Sequence, residues 1–259
     1  MSLILQTMEV AMSDLNGSGT VPLIEVEGLI AGYRDLRAVW DVSLSVYPGK
    51  TTVLLGSNGA GKTTTLHAII GLVKTFGGSI KVDGEDVGDL PTYDRVRRGV
   101  ALVQEGKRVF KDCTVEQNLL LGGWCLPRPR RRQMTGAIEK AYERFPVLAS
   151  RRKHLAGSLS GGQQQILAIS QALVPEPRAL LLDEPSAGLA PIVLQEILST
   201  INSLRDEGLG ILLVEQLVDA ALSVADHVSV IALGRSVFSR PLEHIEDRQV
   251  IRDAYIGLA

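Results

Sequence analysis

Short apolar runs alternate with longer amphipathic stretches along most of this chain. Thr51–Leu55, Val100–Val103, Ala179–Leu182, Ile211–Val214 and Val228–Leu233 are brief and rich in branched apolar side chains, as strands buried on both faces are. Leu23–Val26 reads as a further β segment. In Val42–Val46, apolar Val42, Leu44 and Val46 alternate with Ser43 and Ser45, which predicts a half-buried strand before a Pro48-Gly49 turn. Ser79–Val82 followed by Asp83-Gly84 predicts a hairpin strand and its turn. Leu194, Ile197, Leu198, Ile201 and Leu204 fall on one face of a helix that Gly208 can close. Strands alternating with helices in this way predict a doubly wound α/β core with a mainly parallel sheet.

From about Lys111 to Leu173 the strand signals thin out and helical patterns take over, which predicts an inserted helical subdomain at 111–173. Residues 1–20, ending in Asn16-Gly17-Ser18-Gly19-Thr20, read as a flexible leader, leaving 21–259 as one domain. No internal repeat is present.

Composition narrows the class. Of 259 residues, 45% are hydrophobic, enough for a sizeable core. A net charge of -2 excludes a generally basic nucleic-acid binder, and no run approaches the roughly 18 apolar residues needed to span a bilayer. The first ten residues lack the basic start of a secretory signal. Thr92–Ser158 carries 15 Lys/Arg against 6 Asp/Glu, so the remainder holds 12 against 23. That division reads either as a solvated helical face or as a surface meeting a polar partner.

The sharpest motif is Gly56-Ser57-Asn58-Gly59-Ala60-Gly61-Lys62-Thr63, which fits G-x-x-x-x-G-K-[ST]. It follows a predicted strand and opens a helical run from Thr64 to Ile70, the context this motif requires. Glycines let backbone N–H groups curl around phosphates, and the helix N-terminus favours negative charge. Lys62 would reach the β/γ-phosphates and the Thr63 hydroxyl would bind Mg²⁺. Leu180-Leu181-Leu182-Asp183-Glu184 supplies the complement: Asp183 as a second Mg²⁺ contact, through water, and Glu184 as the general base for an attacking water. Together these motifs predict a site for binding and hydrolysing a nucleoside triphosphate.

A third motif, Leu159-Ser160-Gly161-Gly162-Gln163-Gln164-Gln165, opens the amphipathic segment Ile166–Leu173. A Ser-Gly-Gly turn at a helix start is itself an anion site, yet one phosphate loop is already complete, so this second site asks for a second nucleotide or a second subunit. With this motif the chain, over roughly Leu23 to Leu258, resembles the ATP-binding subunits of ABC transporters. That resemblance implies a P-loop NTPase core with a mainly parallel sheet, an antiparallel β subdomain and an inserted α-helical subdomain. It implies ATP and Mg²⁺ as ligands and a head-to-tail pair of ATPase domains enclosing two ATP molecules. Ser160, Gly161, Gly162 and Gln163 would contact the γ-phosphate of the opposite subunit. Tyr33, ahead of the first strand pair, matches the aromatic that stacks on adenine, the alternative being an ordinary core tyrosine. Ser186–Ala190 matches the loop crossing the dimer interface, with Ala190 where an acidic residue is usual.

Two departures follow from the same resemblance. The glutamine expected after Val100–Val103, which senses Mg²⁺ and the membrane partner, corresponds by position to Glu105 rather than Gln104. The switch histidine after Ile211–Val214 is replaced by Gln216, which can hydrogen-bond a phosphate but carries no proton or charge. The stretches Glu105–Phe110, Leu182–Pro191, Leu213–Gln216 and Ala254–Gly257 are most similar to one of the two ATPase subunits of bacterial branched-chain amino acid importers. That implies a second ATPase subunit as partner in a heterodimer, two transmembrane permease subunits and an external solute-binding protein, with the chain peripheral on the cytoplasmic face of the membrane and soluble when isolated. Urea, amides or other amino acids remain open as substrates, as do a soluble ABC ATPase outside transport and a nucleotide sensor. His67, His154, His227 and His244 lack metal-ligand spacing, and His67 reads as a packing residue. Cys113 and Cys125 read as inert core thiols, and Pro127–Arg132 as an exposed loop.

Overall fold

A computed structural model describes residues 21–106, 108–124, 126 and 134–256. The expected leader, Cys125, the Pro127–Arg132 segment and Gly257 lie outside these residues. In chain order the strands are β1 (Ile24–Tyr33), β2 (Leu36–Val46), β3 (Thr51–Leu55), β4 (Lys74–Val82), β5 (Glu85–Asp86), β6 (Val100–Val103), β7 (Ala179–Asp183), β8 (Gly210–Val214), β9 (His227–Ala232) and β10 (Arg235–Pro241). The helices are α1 (Lys62–Ile70), α2 (Thr92–Arg97), α3 (Val115–Gly122), α4 (Met134–Arg144), α5 (Pro146–Ala149), α6 (Gly161–Leu173), α7 (Pro191–Asp206), α8 (Val218–Leu222) and α9 (Gln249–Ile256).

The sheet order is β5-β4-β1-β2-β10-β9-β3-β8-β7-β6. From β9 to β6 the pairing is parallel, while β1, β2, β4 and β5 pair antiparallel. Strand β10 runs antiparallel to β9 and meets β2 at Arg235–Asp41. Every residue of β3, β7 and β8 is buried, which is why these strands read as short runs dominated by apolar side chains, with Thr51 and Thr52 of β3 and Asp183 of β7 as buried polar exceptions. Leu54, Leu181 and Leu212 pack with Leu66 and Ile69 of α1 on one face. Leu55, Leu180 and Leu213 pack with Ile197, Leu198, Ile201 and Leu204 of α7 on the other.

The antiparallel strands are longer than their sequence pattern. β1 begins at Ile24 and runs to Tyr33, and β2 begins at Leu36, because register shifts after Val26, Leu29 and Ala31 break the two-residue alternation. β4 likewise starts at Lys74, five residues before the expected segment. Asp83 and Gly84, with φ of 52° and 79°, form the tight turn into β5.

Between β6 and β7 lie α3, α4, α5 and α6, which share a separate core including Leu119, Ile138, Phe145, Leu148 and Leu167. Thr114 and Ser160 cap α3 and α6 with reciprocal capping boxes to Gln117 and Gln163, the T-x-x-Q and S-x-x-Q spacing of their sequences. Cys113 is half-buried rather than a core thiol. No helix among the described residues is long and apolar enough to cross a membrane.

Candidate functional site

The site is built at the C-terminal ends of β3, β7 and β8, neighbours in the parallel sheet, where open α/β sheets hold their ligands. After β3 the chain turns through Gly56–Gly61 and enters α1 at Lys62, two residues before the expected helix start. Gly61 has φ of 106°, a conformation that disfavours any side chain, and a Cβ there would crowd Ala38 O at 3.2 Å. Gly56 is fixed by space instead: a Cβ would meet Ile231 O at 2.5 Å. Ser57, Asn58 and Gly59 form the exposed rim of the turn, Ala60 is buried behind it, and Thr64 is buried in the first turn of α1.

Lys62 is 5% exposed, and its ammonium is held inside the loop. Its Nζ donates to Gly56 O at 2.9 Å and Ser57 O at 3.2 Å, and lies 3.4 Å from Glu184 Oε1. The neighbouring Thr63 Oγ1 donates to Asp183 Oδ1 at 3.2 Å. Asp183 ends β7, is 1% exposed, and has its carboxyl pushed up to about 6. Burial is the main cause and the charges of Glu184 and Glu105 add to it, against the Thr63 hydrogen bond and Lys62.

Glu184 follows with φ of 44°, a left-handed backbone rare outside glycine, fixed by its N–H donating to Val214 O at 3.0 Å. Its Oε2 accepts from Gln216 Nε2 at 2.6 Å. Lys62, Glu184 and Gln216 therefore form one chain of contacts with the Thr63–Asp183 pair beside it, all drawn from three strand ends. Glu215 lies behind it, a residue that sequence reasoning missed. Its buried carboxylate accepts from Ser186 N at 3.1 Å and Gln216 N at 3.2 Å, tying the loops after β7 and β8 together. Burial raises its carboxyl above the usual range. Arg95 was also missed: buried beneath α1, it donates to Ala68 O, Ile69 O, Leu90 O and Gly88 O and closes the C-terminus of that helix.

The other expected residues fall elsewhere. Tyr33 is the last residue of β1, not a residue ahead of the strands; half-exposed rather than core, it bonds His67 through its hydroxyl. Ser160, Gly161, Gly162 and Gln163 open α6, and the side chains of Ser160 and Gln163 bond each other's backbone N–H groups. Among the described residues no hydrogen bond or ion pair joins this turn to the phosphate loop. Glu105 is exposed beyond β6 and makes no direct bond to Thr63 or Asp183; its influence there is through charge alone.

The arrangement suits a polyphosphate: a cation inside a ring of backbone amides, hard oxygen donors beside it, and a carboxylate poised near the open face. No cluster of three or more His, Cys, Asp or Glu among the described residues could hold a metal alone. Thr63 and Asp183 instead offer two adjacent oxygens, which fits Mg²⁺, an ion that keeps waters and takes further ligands from substrate phosphates.

Comparison with known proteins agrees with this geometry. The ABC transporter family matches residues 39–187. The high-affinity branched-chain amino acid transport ATP-binding protein BraG of Pseudomonas aeruginosa is 42% identical over 87% of this chain and 95% of its own length. The lipopolysaccharide export system ATP-binding protein LptB of Haemophilus influenzae is 33% identical over 91% of this chain and 97% of its own. Among solved structures, a nucleotide-free ATP-binding cassette from an ABC transporter superposes with a TM-score of 0.79 at 27% identity, covering 92% of this chain and all of that one. With its family match spanning the phosphate loop, the Ser160–Gln163 turn and Asp183–Glu184, the chain belongs to the ABC transporter family, as an ATP-binding subunit whose ATP hydrolysis is coupled to transport through membrane permease components.

Proposed function

We propose that this subunit powers a bacterial importer of branched-chain amino acids. The observation that carries the reading is the 42% identity with BraG along nearly the full length of both chains, against 33% for LptB. A second ATPase subunit completes the dimer, two permeases carry the solute, and an external solute-binding protein delivers it. The chain is peripheral on the cytoplasmic face of the membrane, held there by its permeases.

In this reading Gly56–Thr64 cradles the triphosphate, and Lys62 exchanges its bonds to Gly56 O and Ser57 O for β/γ-phosphate oxygens. Thr63 and Asp183 would hold Mg²⁺, with Glu105 contributing through water; the ion would neutralise charge on the phosphates. Tyr33 stacks on adenine. Glu184 takes the proton of the attacking water, and Gln216 fixes its carboxylate through the 2.6 Å bond. Ser160–Gln163 faces the γ-phosphate held by the second ATPase subunit, and that subunit's matching turn faces the one held here, so nucleotide binding and dimer closure are linked free energies. Closure carries the helical span 111–173 with it.

The test is uptake of labelled leucine, isoleucine and valine in source cells lacking this subunit, with and without the gene restored. Restored uptake that Glu184→Gln abolishes supports the reading. Unchanged amino acid uptake with a lipopolysaccharide export defect would place the subunit with the exporters instead.

A further inference from the structure

Tyr33 and His67 bring together two parts of the fold: the end of the β1–β2 hairpin and the last turn of α1. The tyrosine hydroxyl and His67 Nδ1 are 3.0 Å apart, and the rings meet edge to face, with centroids 6.4 Å apart and planes at 80°. The hairpin end is backbone-tight, since a Cβ at Gly32 would meet Leu36 O at 2.0 Å. The main chain of Tyr33 is therefore fixed by the hairpin, and its side-chain torsions are what remain to be set. His67 sets them from the hydroxyl end and leaves Tyr33 48% exposed. Tyr33 also lines a cleft of about 490 Å³ with Leu36, Leu72, Val73 and Lys74, which leaves open space for a planar group beside it. Burial, and then the charge of Arg108, hold the imidazole below its ordinary range, so at neutral pH it is an uncharged partner for a phenol.

We propose that His67 is a positioning residue for the nucleobase: it locks the Tyr33 ring in a stacking orientation and thereby sets affinity for the base, not for the phosphates. The inference rests on reading Tyr33 as the adenine platform. Its physical basis is preorganisation, because a ring already fixed loses less rotamer freedom when the base arrives.

The experiment measures Kd of the full chain for ATP and for inorganic tripolyphosphate, which has no base to stack. His67→Ala and Tyr33→Phe, which removes only the hydroxyl, should each weaken ATP about three- to ten-fold. The double variant should be no weaker than either single one, since both delete the same bond. Tripolyphosphate affinity should stay unchanged throughout. His67→Asn, which keeps an acceptor near the Nδ1 position, should restore most of the ATP affinity and guards against misfolding of the alanine variant. Multiplying effects in the double variant, or equal losses for tripolyphosphate, would overturn the proposal while Tyr33→Ala still weakened ATP. A Tyr33→Ala chain that bound ATP normally would overturn the stacking reading itself, and this inference with it.

Discussion

Asp183 gives the fold a measurable weakness in the absence of ligand. Its carboxyl is buried at the end of β7, and it titrates at about 6 in the fold against 3.8 ordinarily. Because the folded value is the higher one, the native state holds a proton that the unfolded chain gives up. The penalty is absent well below pH 3.8, grows between the two values and is complete above about pH 6. Its full size is on the order of 3 kcal/mol, of which local relaxation leaves about 1–3 kcal/mol to be observed. Asp183→Asn removes the charge and keeps an oxygen for the Thr63 hydroxyl. In nucleotide-free protein with chelator at pH 7.5, the variant should be more stable in urea by that amount. Its Tm should rise by about 2–4 °C for each kcal/mol gained. The advantage should shrink steadily below pH 6 and nearly vanish by pH 4. ATP with Mg²⁺ should stabilise the parent chain more than the variant, whose hydrolysis should be lost. A variant no more stable than its parent at pH 7.5, or an advantage growing on acidification, would refute the reasoning.

Three other substitutions probe different parts of the site. Lys62→Ala removes the cation inside the phosphate loop and should raise the Kd for ATP about 30-fold or more with loss of turnover; unchanged affinity by titration calorimetry would contradict the placement. Glu215→Ala frees the Ser186 and Gln216 amides and loosens the hold on Glu184. It should lower kcat about 10–100-fold with little change in ATP affinity, and single-turnover kinetics can separate the two. Arg95→Met takes the guanidinium from Ile69 O, Leu90 O and Gly88 O, while Ala68 O keeps the Gly71 N–H, and should destabilise the fold by about 3–5 kcal/mol in urea titration; a loss under 1 kcal/mol would mean that water replaces the guanidinium.

What the sequence made legible follows from what hydropathy encodes. β3, β7 and β8 were readable because burial on both faces leaves short runs dominated by apolar side chains. The α7 face was readable because Ile197, Leu198, Ile201 and Leu204 recur at helical spacing, with Leu194 packed at its edge. The phosphate loop was legible because Gly61 and Gly56 are there for reasons that admit few substitutes. The hairpin β1–β2 was cut short because its bulges break alternation. β10 was missed because Arg235–Pro241 is half polar and only partly buried. Glu215, Arg95 and Asn118 were invisible for a different reason: a charged or amide residue reads as surface unless its partners are known. Asn118 is fully buried, bonding Phe110 and Thr114 across the turn before α3, and no local pattern announces this. His67 was read as packing because its partner, Tyr33, is 34 residues away.

The capping box at α6 has a consequence for selectivity. The Ser160 oxygen already accepts the Gln163 N–H, and the Gln163 side chain is turned back onto the Ser160 N–H. The glutamine side-chain oxygen is thus retained at home, leaving its NH₂ to donate, and the serine oxygen keeps one lone pair occupied. What the turn offers outward is a hydroxyl hydrogen and the orphan amides of the first helical turn. It is a surface of donors, able to read a negative guest and with little to offer a positive one. Folding and reading use different sides of one hydroxyl. Aspartate caps helices as well as serine does, so Ser160→Asp would keep the cap while turning the outward face against anions, separating the two uses within a single side chain.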